Sequence, residues 1–492
     1  MTHPDRPKVL LIGIDAGDIG LIRSHLGELP HLRALFTQQK PTALHAESDA
    51  LTSAVWPTFS TGKPPSEHGL YYPMQWDPDR MTLRRVDANW LPYEPFWCPL
   101  AREGKRVTVL DAPFSLPSRL EHGMEVLNWG AQERLGDFHS NRPELAREIK
   151  RRFGLHPMGE DVPVEEPPER LRRLRTDLVA GARRKGELTR WLMETTEWDL
   201  FLTVFAECHR AGHVLWPRAD EADAKSSMQA LLDVYRAVDE AVGHVREGID
   251  HDTTTVVVFS VHGMQANYTK EHFLLPVMER INTLYHGHTA PAESTSASGF
   301  NPMRALRAAV PPRLQSLAAR ALPNGVRDWV VRRTYSGGLD WSQTPGFAVL
   351  TSGEGYLRYN LAGRESQGLL EPNSAEFERY ESLLKECLLG LEDATSGEKI
   401  IQDIVSSDDL TGLRRRYLPD LVVRWREVRL APEIRSDELG SFRARLATGR
   451  TGEHRPGGFA VVLGNLPGVK PIEHIVDFAG FVRSALERPR AA

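Results

Sequence analysis

WDLFLTVFAECHRAGH, residues 198–213, joins an apolar run to a knot of polar side chains. The run reads as a strand buried on both faces, the kind found in parallel sheets covered by helices above and below. Glu207, Cys208, His209 and His213 follow it. If a helix starts near His209, the spacing of four sets His209 and His213 on one face, one turn apart, able to grip a single ion. Glu207, two residues earlier on extended backbone, is expected to point the same way as His209, as a further ligand or as an acceptor behind the ligands. Cys208 reads as an apolar filler at the strand end. The competing reading is a surface pair of histidines capping a helix, and the rest of the chain decides between the two.

Similar runs recur outward from this one: VLLIGID (9–15), RVTVLDAP (106–113), TTTVVVFSVHG (253–263), PDLVVRW (419–425) and GGFAVVLG (457–464). Each is bounded by Gly, Pro or Asp and reads as a buried strand, most of them parallel. Between the runs lie helical patterns. In LLDVYRAVDEAVGHV, Leu231, Val234, Tyr235, Val238, Ala241 and Val245 keep helical spacing. Alternating strands and helices predict an α/β sandwich around a mostly parallel sheet. The rhythm stops from about Asn267 to Gly338, where a polar patch, TAPAESTSASG (289–299), precedes basic helical stretches; this segment is expected to be an insertion or cap. The basic runs REIKRRF, RLRRLR and LRRRY read as solvated helix faces.

Composition agrees with a soluble enzyme. The chain of 492 residues has 26% charged and 41% hydrophobic residues, and a formal net charge of -5 argues against a nucleic-acid binder with a dominant basic surface. The first apolar run is about seven residues long and contains an aspartate, too short for a signal segment or a membrane span. A cytoplasmic protein without membrane association is therefore expected. Three distant cysteines, Cys98, Cys208 and Cys387, indicate no disulfide framework.

In open α/β sheets, reactive groups collect at the carboxyl ends of strands. Asp15 ends the first run, Glu207 to His213 follow the run from Trp198, His262 ends VVVFSVHG, and His454 stands in GEHRPGGFAVV. Each alone is an ordinary cap or polar filler; together they form the kind of Asp and His set that assembles a metal site from distant sequence. The nucleophile is sought in ESDALTSAVWPTFSTGKPPSEHGLYY (47–72), where Thr52 is the candidate and Thr58, Ser60 and Thr61 are rivals. A threonine hydroxyl is a weak nucleophile at its free pKa, and coordination to a divalent ion lowers that pKa. Tyr285, His286 and His288 in the insertion are candidates for substrate contact.

The order of Asp15 in LLIGID, Thr52 in TSAVWPTFSTG, HG at His68, an H-x-x-x-H segment, S-x-HGM and G-x-H resembles the alkaline phosphatase superfamily, in particular its type I phosphodiesterase and nucleotide pyrophosphatase branch. LDWSQTPGFAV, GYLRYNLAGRESQGLLEP, LPDLVV and PIEHIVDFAGFV extend the likeness. The resemblance implies a three-layer α/β/α sandwich with a mostly parallel central sheet and an inserted cap, divided as 1–266, 267–338 and 339–492. It implies Thr52 as nucleophile, with Asp15 and His262 at the same ion and His213 and His454 at a second. Family members hold two divalent ions roughly 4 Å apart.

Two departures stand out. Val261 occupies the position of a carboxylate ligand in S-x-HGM, and His209 that of an aspartate. Three imidazoles, His209, His213 and His454, still suffice for a zinc with one open position. Asp15, Thr52 and His262 are left under-supplied unless Glu207 joins them; a single-ion enzyme is the alternative. The formylglycine sulfatase branch is excluded, because Thr52 is followed by Ser-Ala-Val-Trp instead of x-P-x-R. The expected activity is metal-dependent hydrolysis of small phosphate esters through a phosphothreonine, with zinc, or else manganese, as the ion. A degenerate phospho-ligand binder and a phospho-group transferase are the alternatives.

Overall fold

Five of the six apolar runs lie in one eight-stranded sheet. The computed structural model describes residues 6–487 except 47–50, 119, 121, 159–166, 218–223, 289–323, 336–337, 350–352, 408–411, 413, 429–431, 444–448, 465 and 467. The strands are β1 (Lys8–Ile14), β2 (Thr42–Leu44), β3 (Val107–Leu110), β4 (Gly123–Leu127), β5 (His139–Ser140), β6 (Leu200–Phe205), β7 (Thr254–Ser260) and β8 (Gly458–Leu463). Their order is β2-β8-β7-β1-β6-β3-β4-β5. The five inner strands from β7 to β4 run parallel. Antiparallel pairing enters only with β8 and β5, toward the edges.

Period-two alternation along β1 shows why this sheet needs two helical layers. Leu10, Ile12 and Ile14 face a core with Leu178 and Leu188 of helix Pro168–Thr195 and with Val234, Val238 and Val245 of helix Ala224–Arg246. Val9 and Leu11 face the other core, with Val55, Trp56 and Phe59 of helix Val55–Thr61 and Phe478 and Val482 of helix Asp477–Leu486. The three-layer α/β/α expectation holds. Full burial of each such aliphatic side chain contributes about 1.5–3 kcal/mol. That holds the strand ends rigid beneath the polar groups they carry. Cys98, Cys208 and Cys387 are all buried as free thiols.

A second lobe has its own core. Strands Gly346–Val349, Gly355–Tyr359, Leu421–Trp425 and Ile401–Ser406 form an antiparallel sheet. The run PDLVVRW lies here and not in the parallel sheet, because apolar continuity reports burial and does not say which sheet is joined. Helix Leu274–Tyr285 packs Leu274, Val277, Met278 and Ile281 into the same core as Leu357, Tyr359 and Tyr380. Part of the expected cap thus shares that core. Helix Asn324–Tyr335 is tied to the hairpin of Met74–Asp77 and Thr82–Arg85 by Asp328, which accepts from Arg85 at 2.6 and 2.9 Å. The TAPAESTSASG patch lies outside the described residues. Among the described residues no helix is long and apolar enough to cross a membrane.

Two of the basic runs, REIKRRF and RLRRLR, are solvated helix faces, as expected; in LRRRY, Arg414 donates instead to the carbonyls of His68 and Pro92 and Arg415 to that of Ser407. Arg151 and Arg152 pair with Glu148, Arg147 with Glu144 and Arg173 with Asp177, all at helical spacing. Solvent screens such exposed pairs, and they add little to stability.

Candidate metal centre

Strands β7, β1 and β6 are neighbours, and their carboxyl ends deliver the polar groups to one place. Asp15 follows β1, its amide donating to the Phe205 carbonyl at 2.8 Å. His262 follows β7 by two residues, and Ser260 Oγ fixes that turn by donating to the His262 carbonyl at 2.8 Å while accepting from Gly17 N at 3.0 Å. After β6 the chain enters helix Glu207–Leu215 almost at once.

That helix begins at Glu207, two residues before the expected start, and this corrects one assignment. At about 100° per residue, two positions lie about 200° apart and four lie about 40° apart. His209 and His213 therefore share a face, while Glu207 points away. Its Oε1 takes the Nε2–H of buried His156 at 2.8 Å. The His156 Nδ1 accepts from Met158 N, which fixes the ring's donor side. Glu207 joins neither group of candidate ligands.

His454 arrives from the opposite side on strand Gly452–Arg455, which pairs antiparallel with Gly263–Ala266 so that His454 faces Met264. Two glycines let this strand approach the helix. A Cβ on Gly452 would lie 2.1 Å from the Gly212 carbonyl oxygen, and one on Gly212 would lie 2.8 Å from Met264 Cε. Larger residues at either position would push His454 away from His213.

The ring nitrogens then meet in a specific sense. A carboxylate only accepts, so His209 donates its Nδ1–H to Asp15 Oδ2 at 2.7 Å, leaving a lone pair on Nε2. His213 donates its Nδ1–H to the Gly452 carbonyl at 3.0 Å, again leaving a lone pair on Nε2. These two Nε2 atoms are 3.0 Å apart, and His454 Nε2 lies 2.8 Å from that of His209. Two lone pairs facing each other in a buried site call for positive charge between them, either a proton or a cation. Tautomers fixed by an outer carboxylate and a backbone carbonyl are those of metal-ligating imidazoles. The donor set fits one divalent ion with a fourth position open.

Electrostatics agree. Burial, aided by Arg450 and the neighbouring rings, pushes His213 and His454 well below the usual imidazole range and keeps them neutral. Burial also opposes charge on His209, but the Asp15 carboxylate outweighs it and raises that ring. Burial alone would raise Asp15; His209 and His262 overcome it and hold the carboxyl far below the carboxylate range.

Asp15 has a further partner that sequence reading missed: Trp56 Nε1 donates to its Oδ1 at 2.7 Å. Trp56 lies one turn after Thr52, which opens the short 3-10 turn Thr52–Ala54 leading into helix Val55–Thr61. This bond anchors the Thr52 segment to the end of β1. Thr52 is 4% exposed and its hydroxyl has no hydrogen-bond partner among the described residues. Of its rivals, Thr58 is bonded to His68 and Thr61 to the Pro57 carbonyl, while Ser60 is fully buried. Tyr285 packs on Tyr380 under Arg379, in the second lobe; it, His286 and His288 join neither ligand group.

Acidic side chains surround the imidazoles. Glu453 precedes His454 and accepts its backbone N–H at 3.0 Å. Glu271 accepts from Gly353 N at 3.2 Å, and a Cβ on Gly353 would touch Glu453, so both carboxyls meet at that glycine beside Glu354. Burial, then Glu453, pushes Glu271 up to about 7 and Glu354 up to about 8. Burial also raises Glu133, which feels His209, Asp15 and His262. No pattern in the sequence marks these four glutamates, since each belongs to a different segment of the chain.

Comparison with known proteins follows the same lines. Residues 9–325 match the model of the family described as type I phosphodiesterase / nucleotide pyrophosphatase. Phosphonoacetate hydrolase from Sinorhizobium meliloti 1021, solved with phosphonoformate and with phosphonoacetate, is similar at a TM-score of 0.52 and 13% identity, over 98% of this chain and 96% of that one. That likeness is one of fold. Human ectonucleotide pyrophosphatase / phosphodiesterase 5 gives 0.45 and 10% identity, over 99% and 96% of the two chains. The search of curated proteins gives no match.

Proposed function

The chain belongs to the type I phosphodiesterase / nucleotide pyrophosphatase family, within the alkaline phosphatase superfamily, and is a phosphoric ester hydrolase; from that premise we propose that Thr52 is its nucleophile and that His209, His213 and His454 hold a divalent ion beside it. The observation that carries this reading is the convergence of three Nε2 atoms, two of them with their lone pairs fixed inward, next to strand ends that also anchor an unpartnered buried hydroxyl. A buried hydroxyl without a partner is costly unless a substrate or solvent completes it. Three nitrogen donors favour zinc over harder cations such as manganese.

Bound there, the ion supplies a Lewis acid against the charge that builds on phosphoryl oxygens. The chain supplies the rest. Thr52 Oγ1 forms a bond to phosphorus as the ester oxygen on the far side leaves with its electron pair, giving a phosphothreonine; water then breaks that bond and restores the hydroxyl. Trp56 keeps the Thr52 segment in register with Asp15, and Asp15 keeps the His209 ring turned. Small phosphodiesters or nucleotide pyrophosphates are the proposed substrates. We also propose residues 267–338 as the cap over a core of 1–266 and 339–492; support comes from Glu271, near the start of that segment, which lies close to Glu453 beside His454.

The test is a panel of phosphodiesters, phosphomonoesters and nucleotide pyrophosphates, run with zinc and with manganese on wild type and Thr52→Ala. Turnover of diesters by wild type and none by the variant is expected, with phosphothreonine trapped on acid quench. Inert wild type with every ion would favour a non-catalytic phospho-ligand binder, and product transfer to an added alcohol would favour a transferase.

A further inference from the structure

Among the described residues, two groups of side chains are close enough to share an ion: His209, His213 and His454, and Asp15, His209 and His262. Both need His209. Its Nδ1–H is committed to Asp15 Oδ2, so the ring has one free lone pair, on Nε2, and that atom faces His213 and His454. The two groups therefore exclude each other.

Without His209 the second group falls to Asp15 and His262. Asp15 is already occupied on both oxygens, by Trp56 Nε1–H at 2.7 Å on Oδ1 and by His209 on Oδ2, with His262 Nε2 a further 3.3 Å from Oδ1. Among the described residues no further carboxylate joins this group: Glu133 and Glu453 are buried near enough to feel His209 and His262 but belong to neither set. Val261 is 1% exposed and packs in the apolar core with Val257, Phe259 and Trp56, and Glu207 is held by His156. We infer that the centre holds one divalent ion, and that Asp15, anchored by Trp56, is a positioning residue that turns His209 toward the ion instead of a ligand of a second one. The inference rests on the metal-dependent reading above and narrows it to a single-ion hydrolase.

The geometry gives each partner a task. The Asp15 carboxylate fixes the His209 tautomer and makes its Nε2 more basic, the effect that outer carboxylates have on ligating imidazoles. Trp56 in turn keeps Asp15 from rotating into the ligand position. A threonine served by one ion must also pass its proton to a protein group or to solvent.

The test is ion stoichiometry on the full chain, equilibrated with zinc, dialysed and analysed by mass spectrometry, with a cobalt(II) titration followed by visible absorption as a second measurement. One equivalent is expected in both, with a single absorption endpoint. Two equivalents in a protein that still cleaves diesters would overturn the single-ion inference alone, and none at all would overturn the metal-dependent reading with it. Asp15→Asn sharpens the outcome: it should keep one equivalent and bind it about 10–100-fold more weakly. Loss of one of two equivalents, with the other bound as before, would show Asp15 to be a ligand. His262→Gln is the companion should Asp15→Asn fail to fold; it too should keep one equivalent, and a fall from two to one would contradict the inference.

Discussion

The second lobe and the strand-end centre each bury a charged cluster, and they are completed in different ways. In the lobe, Arg358 donates to Glu365 and to the carbonyls of Leu418 and Arg416, and Arg364 donates to Asp420, Glu365 and the Tyr359 carbonyl. Asp420 also accepts from Tyr359 N at 2.7 Å. Each guanidinium and each carboxylate is matched. At the strand ends, three imidazole nitrogens face one another and the hydroxyl of Thr52 has no partner among the described residues. A cluster that completes itself holds a fold together; one that leaves donors and acceptors open has its missing partner elsewhere.

Substitutions in the two clusters should therefore have opposite signatures. The largest effect is expected from Thr52→Ala. It should lower diester turnover by at least about 10³-fold, the scale on which loss of a nucleophile acts. Its stability should equal or exceed that of wild type, because an unpartnered buried hydroxyl is removed. Steady-state kinetics and urea unfolding on one preparation decide this, and a destabilised variant would erase the contrast. Asp420→Ala should do the reverse. Leaving Arg364 buried without its partner should cost about 3–5 kcal/mol of stability, with turnover per folded molecule unchanged.

A smaller effect separates the clusters by ligand. Zinc at about 100-fold over its dissociation constant should stabilise wild type by about 2.7 kcal/mol. It should do nothing for His213→Ala and act fully on Asp420→Ala allowing for that variant's lower baseline. Thermal unfolding with and without zinc measures it, and equal stabilisation of His213→Ala would place the ion elsewhere.

A further effect is in pH, and its sign differs between the regions. Glu271 and Glu354 have their folded pKa raised from 4.5 to about 7 and about 8. Between those values the folded chain keeps protons that the unfolded chain has lost, so this contribution is full below pH 4.5 and is lost as pH rises toward 8. Asp420 behaves oppositely. Burial would raise it, but Arg364 and Arg358 hold it below 3.8, so its contribution is present above 3.8 and is lost as pH falls through its folded value. Urea unfolding from pH 4.5 to 8.5 should show the first slope, and Glu354→Gln should flatten it.

The same contrast explains what could be read from the sequence. Unbroken apolar runs exposed four of the five inner strands, because strands buried on both faces have no polar alternation to hide them; Gly123–Leu127, interrupted by Glu125, was missed. Spacing of four exposed His209 and His213 because a helix puts them one turn apart. Glu207 was misread because extended backbone and helix send a residue two positions away to opposite sides, and the strand ended sooner than its apolar run suggested. The Trp56 bond to Asp15 was invisible, since it joins residues 41 apart that tertiary packing alone brings together. Arg450 and the four glutamates of the rim were hidden for the same reason: their meeting depends on how the second lobe folds back on the sheet.

The most direct measurement is anomalous diffraction at the zinc edge from crystals of the zinc-equilibrated protein. The account predicts one peak, about 2.0–2.1 Å from the Nε2 atoms of His209, His213 and His454. A peak bound instead by Asp15 and His262, or no peak among the imidazoles, would contradict it.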